Sequence, residues 1–290
     1  MRSTAHERED AGVWDVARPE RPSRVAGVSM AGFRDRGMAS EGRRVIPHPG
    51  VTLVLAFGAG PLIVDGAAGP RRGSLVAGLG FGFGPGALQV RGKDFEAVQV
   101  RLSPVVARAL LGVSPADLDD AVVSLDDLWG REASRICEQL DQLSSWADRF
   151  ALTDALLARR RERSAEADPE VAWAWRRIVA GRGLVRIEEL AAELGWSRKR
   201  LWSRFGAQIG LPPKRAAKLV RFDHAAHRLA AGEGAARVAA DGGYADQSHL
   251  HRDVVAFTGT TPAIVANEPF LAVDDFAWAG HGTPARSPHR

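Results

Sequence analysis

Cysteine occurs once in the 290 residues, at Cys137. An intramolecular disulfide is therefore excluded, and the chain suits a reducing compartment. Cys137 stands between Ile136 and Glu138 in a helical pattern with no reactive motif around it. It reads as a packed structural thiol rather than a nucleophile. No apolar run reaches the roughly 18 residues that a membrane span needs, and the opening MRSTAHERED lacks the apolar core of a signal peptide. Between residues 25 and 102 the only histidine is His48. A metal centre would need several ligands converging there, so Pro47-His48-Pro49 reads as an extended segment before a strand. GxxxxGK[ST], GxSxG and HExxH are absent, as is GxGxxG in a strand–helix setting. These absences predict a protein with no catalytic residues, no cofactor and no metal.

Apolar residues make up 45% of the chain, enough for real cores, and its length suits two domains. The net charge is +4. Between Gly181 and Val265 there are 13 Lys and Arg against 8 Asp and Glu, so the basic excess lies there and the remainder is close to neutral. A basic surface confined to one part of a chain suits a nucleic-acid partner.

Residues 1–22 are charged, carry Pro19 and Pro22 and lack periodicity, which predicts disorder. From Val25 the pattern turns to short strands. Val51 to Phe57 is a β-branched apolar run, Leu62 to Val64 follows a Gly-Ala-Gly-Pro turn, and Leu75 to Leu79 and Ala87 to Arg91 are shorter. Phe95 to Leu102 alternates, with Val98, Val100 and Leu102 on one face. Short strands and Gly-rich turns predict a small barrel or sandwich. Helical pieces follow at Val105–Leu111, Leu125–Trp129, Arg131–Leu143 and Ala147–Arg163, with a capping box at Ser114-Pro115-Ala116-Asp117. The Arg159 to Arg163 run is either a solvated helix end or a phosphate contact, and residues 164–169 read as a linker.

From Val185 the chain carries two helix–turn–helix patterns. In the first, Ile187, Leu190, Ala191 and Leu194 share a helix face, Gly195 stops it, and Ser197 stands where an N-cap belongs. Leu201, Phe205 and Ile209 then form an apolar stripe opposite Arg198, Lys199, Arg200, Trp202, Ser203 and Arg204. In the second, Val238 and Ala239 close a short helix, Asp241-Gly242-Gly243 turns, and Asp246 caps a helix with Leu250, Val254 and Phe257 inward. Gln247, Ser248, His251 and Arg252 face outward. Pro213 to Ala231 between them is one amphipathic helix, a rod of roughly 27 Å. Successive major grooves on one face of B-DNA lie about 34 Å apart.

Gly243-Tyr244-Ala245-Asp246-Gln247-Ser248-His249-Leu250-His251-Arg252, followed by Gly259-Thr260-Thr261-Pro262, resembles the C-terminal signature of AraC/XylS-type transcription regulators. Leu190-Ala191, Gly195-Trp196-Ser197, Leu201 and Phe205 resemble the first half of the same domain. The resemblance spans about residues 170 to 268 and implies a seven-helix domain with recognition helices near 198–209 and 247–257. It implies base contacts at Lys199, Trp202, Ser203, Gln247, Ser248, His251 and Arg252. Trp202 stands where many relatives carry a polar side chain; it either packs on a thymine methyl or leans on the protein. Arg198, Arg200, Arg204 and Lys214 are candidates for phosphate contacts, and His249 supports the turn or a phosphate.

The expectation is an α+β chain: residues 23–165 a β-rich, barrel-like regulatory or dimerisation domain with helices at its C-terminal part, residues 170–268 an all-α double helix–turn–helix domain, residues 269–290 a tail. The function expected is sequence-specific transcription regulation on double-stranded DNA, in the cytoplasm and at the nucleoid. Further candidate partners are a small-molecule effector in the N-terminal domain, a second copy in a homodimer, and RNA polymerase; no membrane is expected. The helices that follow the barrel either dimerise, as the resemblance implies, or pack plainly against it. The rival readings are a DNA-processing enzyme that borrows the module and a protein–protein adaptor.

Overall fold

The computed structural model describes residues 5–9, 14–36, 42–66, 69–79, 88–118, 122–163 and 167–278. Eleven strands come first among these: β1 Ala5–Glu9, β2 Trp14–Pro19, β3 Val28–Asp35, β4 Arg43–Arg44, β5 Val51–Gly58, β6 Leu62–Gly66, β7 Gly69–Arg72, β8 Leu75–Ala77, β9 Gln89–Gly92, β10 Phe95–Leu102 and, after a helix and a 3-10 turn, β11 Val122–Ser124. They form two antiparallel sheets, ordered β1-β2-β3-β10-β5-β8-β11 and β4-β9-β6-β7. An apolar cavity lies between the sheets, walled by Trp14, Phe33, Val54 and Phe95 from one and Leu62, Val64 and Val90 from the other.

The larger sheet is buried on both faces, which is why β5 is an almost unbroken apolar run rather than an alternating one. Its outer face (Val28, Met30, Leu53, Leu55, Val98, Val100) packs on helices. These are α1 Pro104–Leu111, a 3-10 turn at Pro115–Leu118, α2 Leu125–Trp129, α3 Arg131–Gln142 and α4 Trp146–Glu162. Trp146 at the start of α4 lies across the sheet, 6.3 Å from the Phe57 ring. A Cβ on Gly32 would come within 2.4 Å of the Trp146 ring, so β3 has glycine where the indole crosses it. Arg160 turns inward: its guanidinium stacks 4.1 Å over Trp129 and its Nε donates to the Leu110 carbonyl. It thereby ties α4 to α1 and α2, which is neither of the two roles considered for the arginine run.

Two expectations are corrected. Residues 5–9 and 14–19, assigned to a disordered N-terminus, form the paired strands β1 and β2: Trp14 is 2% exposed, edge-on to Phe33 and Phe95 at 6.1 and 5.8 Å. Burial of one indole and of Val16 and Ala17 outweighs the surrounding charge. Residues 1–4 and 10–13 lie outside the described residues, as do 164–166 of the linker and 279–290 of the tail. The first part of what was expected to be a C-terminal tail belongs to the folded core. Residues 269–277 form a helix whose Leu271, Val273 and Ala277, with Trp278 beyond its end, are buried against the sheets.

The remaining helices are α5 Pro169–Ala180, α6 Ile187–Glu193, α7 Arg198–Ile209, α8 Pro213–Ala230, α9 Ala235–Asp241, α10 Gln247–Thr258, α11 Pro262–Val265 and α12 Pro269–Ala277. Their core (Phe205, Leu219, Phe222, Leu250, Val254) is continuous with the helical layer behind the sheet. Polar ties cross the same boundary. Ser114 Oγ donates to the Ala207 carbonyl at 2.6 Å, and Arg44 Nη1 donates to the Thr258 carbonyl at 2.8 Å. The C-terminal ends of both α7 and α10 are thus fastened to the β-rich half. Among the described residues, no helix is long and apolar enough to cross a membrane.

Candidate nucleic-acid interface

In the first unit α6 and α7 are joined by a turn in which Gly195 takes φ 64°. The Ser197 hydroxyl accepts the Arg200 N–H at 3.2 Å and starts α7. Leu201, Phe205 and Ile209 are wholly buried, so the helix can roll only one way. That leaves Arg198, Lys199, Trp202 and Ser203 exposed, Trp202 to 43%. Burying so large an apolar surface against DNA is favourable, whereas leaving it in water is not. Arg200 stacks 4.5 Å over the Trp196 ring. Arg204 does not face away freely: its Nε donates to Asp168 Oδ2 at 2.9 Å, at the start of α5. Hydrogen bonds from Gln208 and Arg204, with the Arg204 charge, outweigh burial and lower the Asp168 pKa.

The second unit has its own devices. Gly243 takes φ 68°, a left-handed conformation that glycine adopts without strain. Asp246 Oδ1 accepts the His249 N–H at 2.7 Å and caps α10. His249 Nδ1 accepts the Ala245 N–H at 3.3 Å, and its ring meets Tyr244 edge-on at 5.3 Å. In the neutral ring this leaves the proton on Nε2, ready for a phosphate oxygen. Gln247, Ser248, His251 and Arg252 are exposed, and Arg252 Nε donates to the Ser248 carbonyl, which holds the guanidinium back along the helix toward its N-terminal end.

The rod α8 fixes the two units together. Phe222 stacks on Phe257 of α10 with centroids 4.7 Å apart. Beside it Asp253, 6% exposed, accepts from Arg221 Nη2 at 2.7 Å and lies 3.6 Å from Lys218 Nζ. This lock was not anticipated from the sequence. Its signal was an aspartate inside the apolar stripe Leu250, Val254, Phe257, a position that demands a cation from the facing helix. Between the units runs an open groove of about 870 Å³. It brings together the predicted Arg198, Lys199, Trp202, Lys214 and His249, and adds Arg186, Lys218 and Arg221. Ser203, Arg200, Arg204, Gln247, Ser248, His251 and Arg252 lie outside it. A cationic groove between two exposed helix N-termini is suited to a polyanion with a periodic surface.

Elsewhere, the described residues gather no three His, Cys, Asp or Glu side chains fit to hold a metal ion. His48 is buried, its Nε2 is 2.8 Å from the Thr52 hydroxyl, and burial, followed by the nearby Arg101 charge, pushes its pKa well below the ordinary value. Burial acts in the opposite sense on the Cys137 thiol, raising its pKa, and the sulfur sits 3.0 Å from the Ser74 hydroxyl.

Residues 190–267 match a helix-turn-helix domain family. No curated protein matches the chain. Among solved structures, ToxT from Vibrio cholerae O395 is similar over 85% of this chain and 98% of its own, at 9% identity and a TM-score of 0.47. The C-terminal domain of AraT, a response regulator from Geobacillus stearothermophilus, covers 35% of this chain and 87% of its own, at 19% identity and a TM-score of 0.33. The AraC-like transcriptional activator CuxR covers 70% and 80%, at 15% identity and a TM-score of 0.28. The matched segment, residues 190–267, carries both helix–turn–helix units described above.

Proposed function

We propose that α7 and α10 enter successive major grooves of one DNA duplex and read it together. The observation that carries this reading is the rigid mounting of two capped helices, with exposed N-terminal halves, on the single rod α8. Lys199 and Arg252 donate to guanine, Gln247 pairs with adenine, Ser203, Ser248 and His251 complete the polar edge, and Trp202 packs on a thymine methyl. Arg198, Lys214 and His249 hold phosphates, joined by Arg186 and Lys218 from the groove; Arg200 flanks them. Arg204 contributes less than its charge suggests, because Asp168 already engages it. Selection from random duplex DNA by the full-length protein tests the reading. Two enriched blocks about one helical turn apart support it, and no enrichment at any salt concentration defeats it.

The β-rich half is the regulatory module, and the cavity of about 100 Å³ between its sheets is the effector pocket. The module also supplies the homodimer contact, and the DNA-bound protein meets RNA polymerase in the cytoplasm. The reading of the chain as a non-enzyme rests on the absence of catalytic motifs from its sequence. Thermal-shift screening of the full chain, with sedimentation for the dimer, tests these assignments: no stabilising compound removes the pocket, and a monomer at all concentrations removes the dimer.

A further inference from the structure

α7 holds a residue that the fold does not require. Gly206 stands inside the helix, where glycine is a poor helix former, and no left-handed backbone calls for it. A Cβ on it would meet nothing within 4 Å, so no neighbour excludes a side chain. A bare Cα of this kind serves where something outside the chain must come close. Trp202 lies one turn earlier on the same face. The burial of Leu201, Phe205 and Ile209 turns that face outward, and Trp202 and Lys199 line the open groove between the two units. Trp202 is 43% exposed, and among the described residues its ring has no hydrogen bond, stacking partner or cation. The Gly206 carbonyl is already taken by the Gly210 N–H at 2.9 Å. An indole beside a bare Cα whose carbonyl is satisfied makes an apolar slot on an otherwise polar helix face.

We propose that Trp202 and Gly206 form a slot for the C5-methyl group of a pyrimidine in the major groove, so that thymine and 5-methylcytosine are accepted at that position while uracil and unmethylated cytosine are disfavoured. The methyl group is the one apolar feature that a base pair shows in the major groove. The indole covers one side of it, and the bare Cα lets the helix come close enough for contact. A slot without donor or acceptor reads the methyl group and not the oxygen or amino group at C4. Binding to a site with cytosine at this position is thereby coupled to methylation of that cytosine. The inference rests on the reading of α7 as a major-groove helix, and adds the chemical group it reads there and a control on its binding.

The test uses the full chain and duplexes of the sequence it selects. Each pyrimidine of the block read by α7 is replaced in turn, thymine by uracil and cytosine by 5-methylcytosine, and each duplex is titrated. At one position, removing the methyl group from thymine should weaken binding roughly fourfold, the value of burying one such group. With cytosine placed there, methylation should restore binding by the same factor. Trp202→Ala should erase both differences. Gly206→Ala should raise the melting temperature, because alanine is the better residue inside a helix, and yet shrink the methyl preference. Trp202 is exposed and the space beside Gly206 is open, so neither substitution disturbs the core. Indifference to the methyl group at every pyrimidine of the block overturns the slot while leaving α7 in the groove. A methyl preference that survives Trp202→Ala also overturns it, as does a Gly206→Ala chain that binds every duplex as the parent does. Failure to select any sequence defeats the major-groove reading and the inference together.

Discussion

The first recognition helix starts on the Ser197 hydroxyl and carries Arg198, Lys199, Arg200 and Arg204 with no acidic residue in its twelve. The second starts on the Asp246 carboxylate and carries Arg252 beside Asp253, whose charge is spent on Arg221 and Lys218 of the rod. The first unit is thus held by packing and by ties at the far end of its helix, Arg204 to Asp168 and Ser114 to the Ala207 carbonyl, and leaves its N-terminal charges open. The second is held by packing and a buried ion pair and offers hydrogen-bonding groups of mixed character. Charge without direction gives affinity and salt dependence, whereas oriented donors and acceptors give discrimination among bases. The comparison assigns the first unit more of the grip and the second more of the reading.

The largest effect is expected at the lock. Asp253→Ala strands Arg221 in a half-buried site, and removing one partner of a buried pair typically costs about 3–5 kcal/mol. Chemical denaturation should show that loss, and DNA binding should lose its second block before its first. If the variant melts like the parent, the lock is not what seats α10. Next come the reading residues. Gln247→Ala or Arg252→Ala should cost about 1–3 kcal/mol on the selected site and little on unrelated DNA; equal losses on both would erase the distinction between units. Ser197→Ala should cost about 1 kcal/mol of stability by removing the cap, measured by thermal melting, without altering sequence preference. Arg198→Ala should weaken binding evenly across sequences and flatten the dependence of log K on log salt by about 0.9. A changed base preference there would move Arg198 to the reading set.

The smallest effect expected is one of pH on the cluster of His227, Asp223 and Asp274, where α8 meets α12. His227 faces only acceptors, the Asp223 carbonyl at Nδ1 and Asp274 at Nε2, so its ring holds two protons. Burial pulls its pKa down, but the Asp223 charge and the hydrogen bond and charge of Asp274 raise it to about 9. Burial likewise pushes Asp274 up, yet Arg101 and His227 bring it to about 2. His48, Arg101 and His224 are further charged or titratable groups that interact with this cluster. A raised histidine stabilises fully below its unfolded value of 6.5 and loses that contribution as pH climbs through about 9. A lowered aspartate stabilises fully above 3.8 and loses its share as pH falls through about 2. The stability gap between the parent and His227→Gln should therefore be wide near pH 6 and close near pH 10. A constant gap would show that packing, not charge, accounts for His227.

The DNA-binding half was legible because its signals are local. Caps at Ser197 and Asp246, stops at Gly195 and Gly243 and stripes at four-residue spacing all lie within a few residues of what they control. β2 and α12 were not legible, because each is short and takes its meaning from afar. Trp14 becomes a core residue through Phe33 and Phe95, and Asp274 finds its ion-pair partner in Arg101, 173 residues away in sequence. The Asp253 lock falls between: the odd aspartate was visible, but its partner lies 32 residues back on another helix.

The most direct test of the central claim is spacing. With the two selected blocks in hand, affinity should be measured as base pairs are inserted between them one at a time. Two recognition helices mounted on one rigid rod require a sharp optimum, with about five added base pairs, half a turn, reducing binding to that of a single block. An affinity that ignores the spacing would contradict the account, because the two units would then be reading DNA independently.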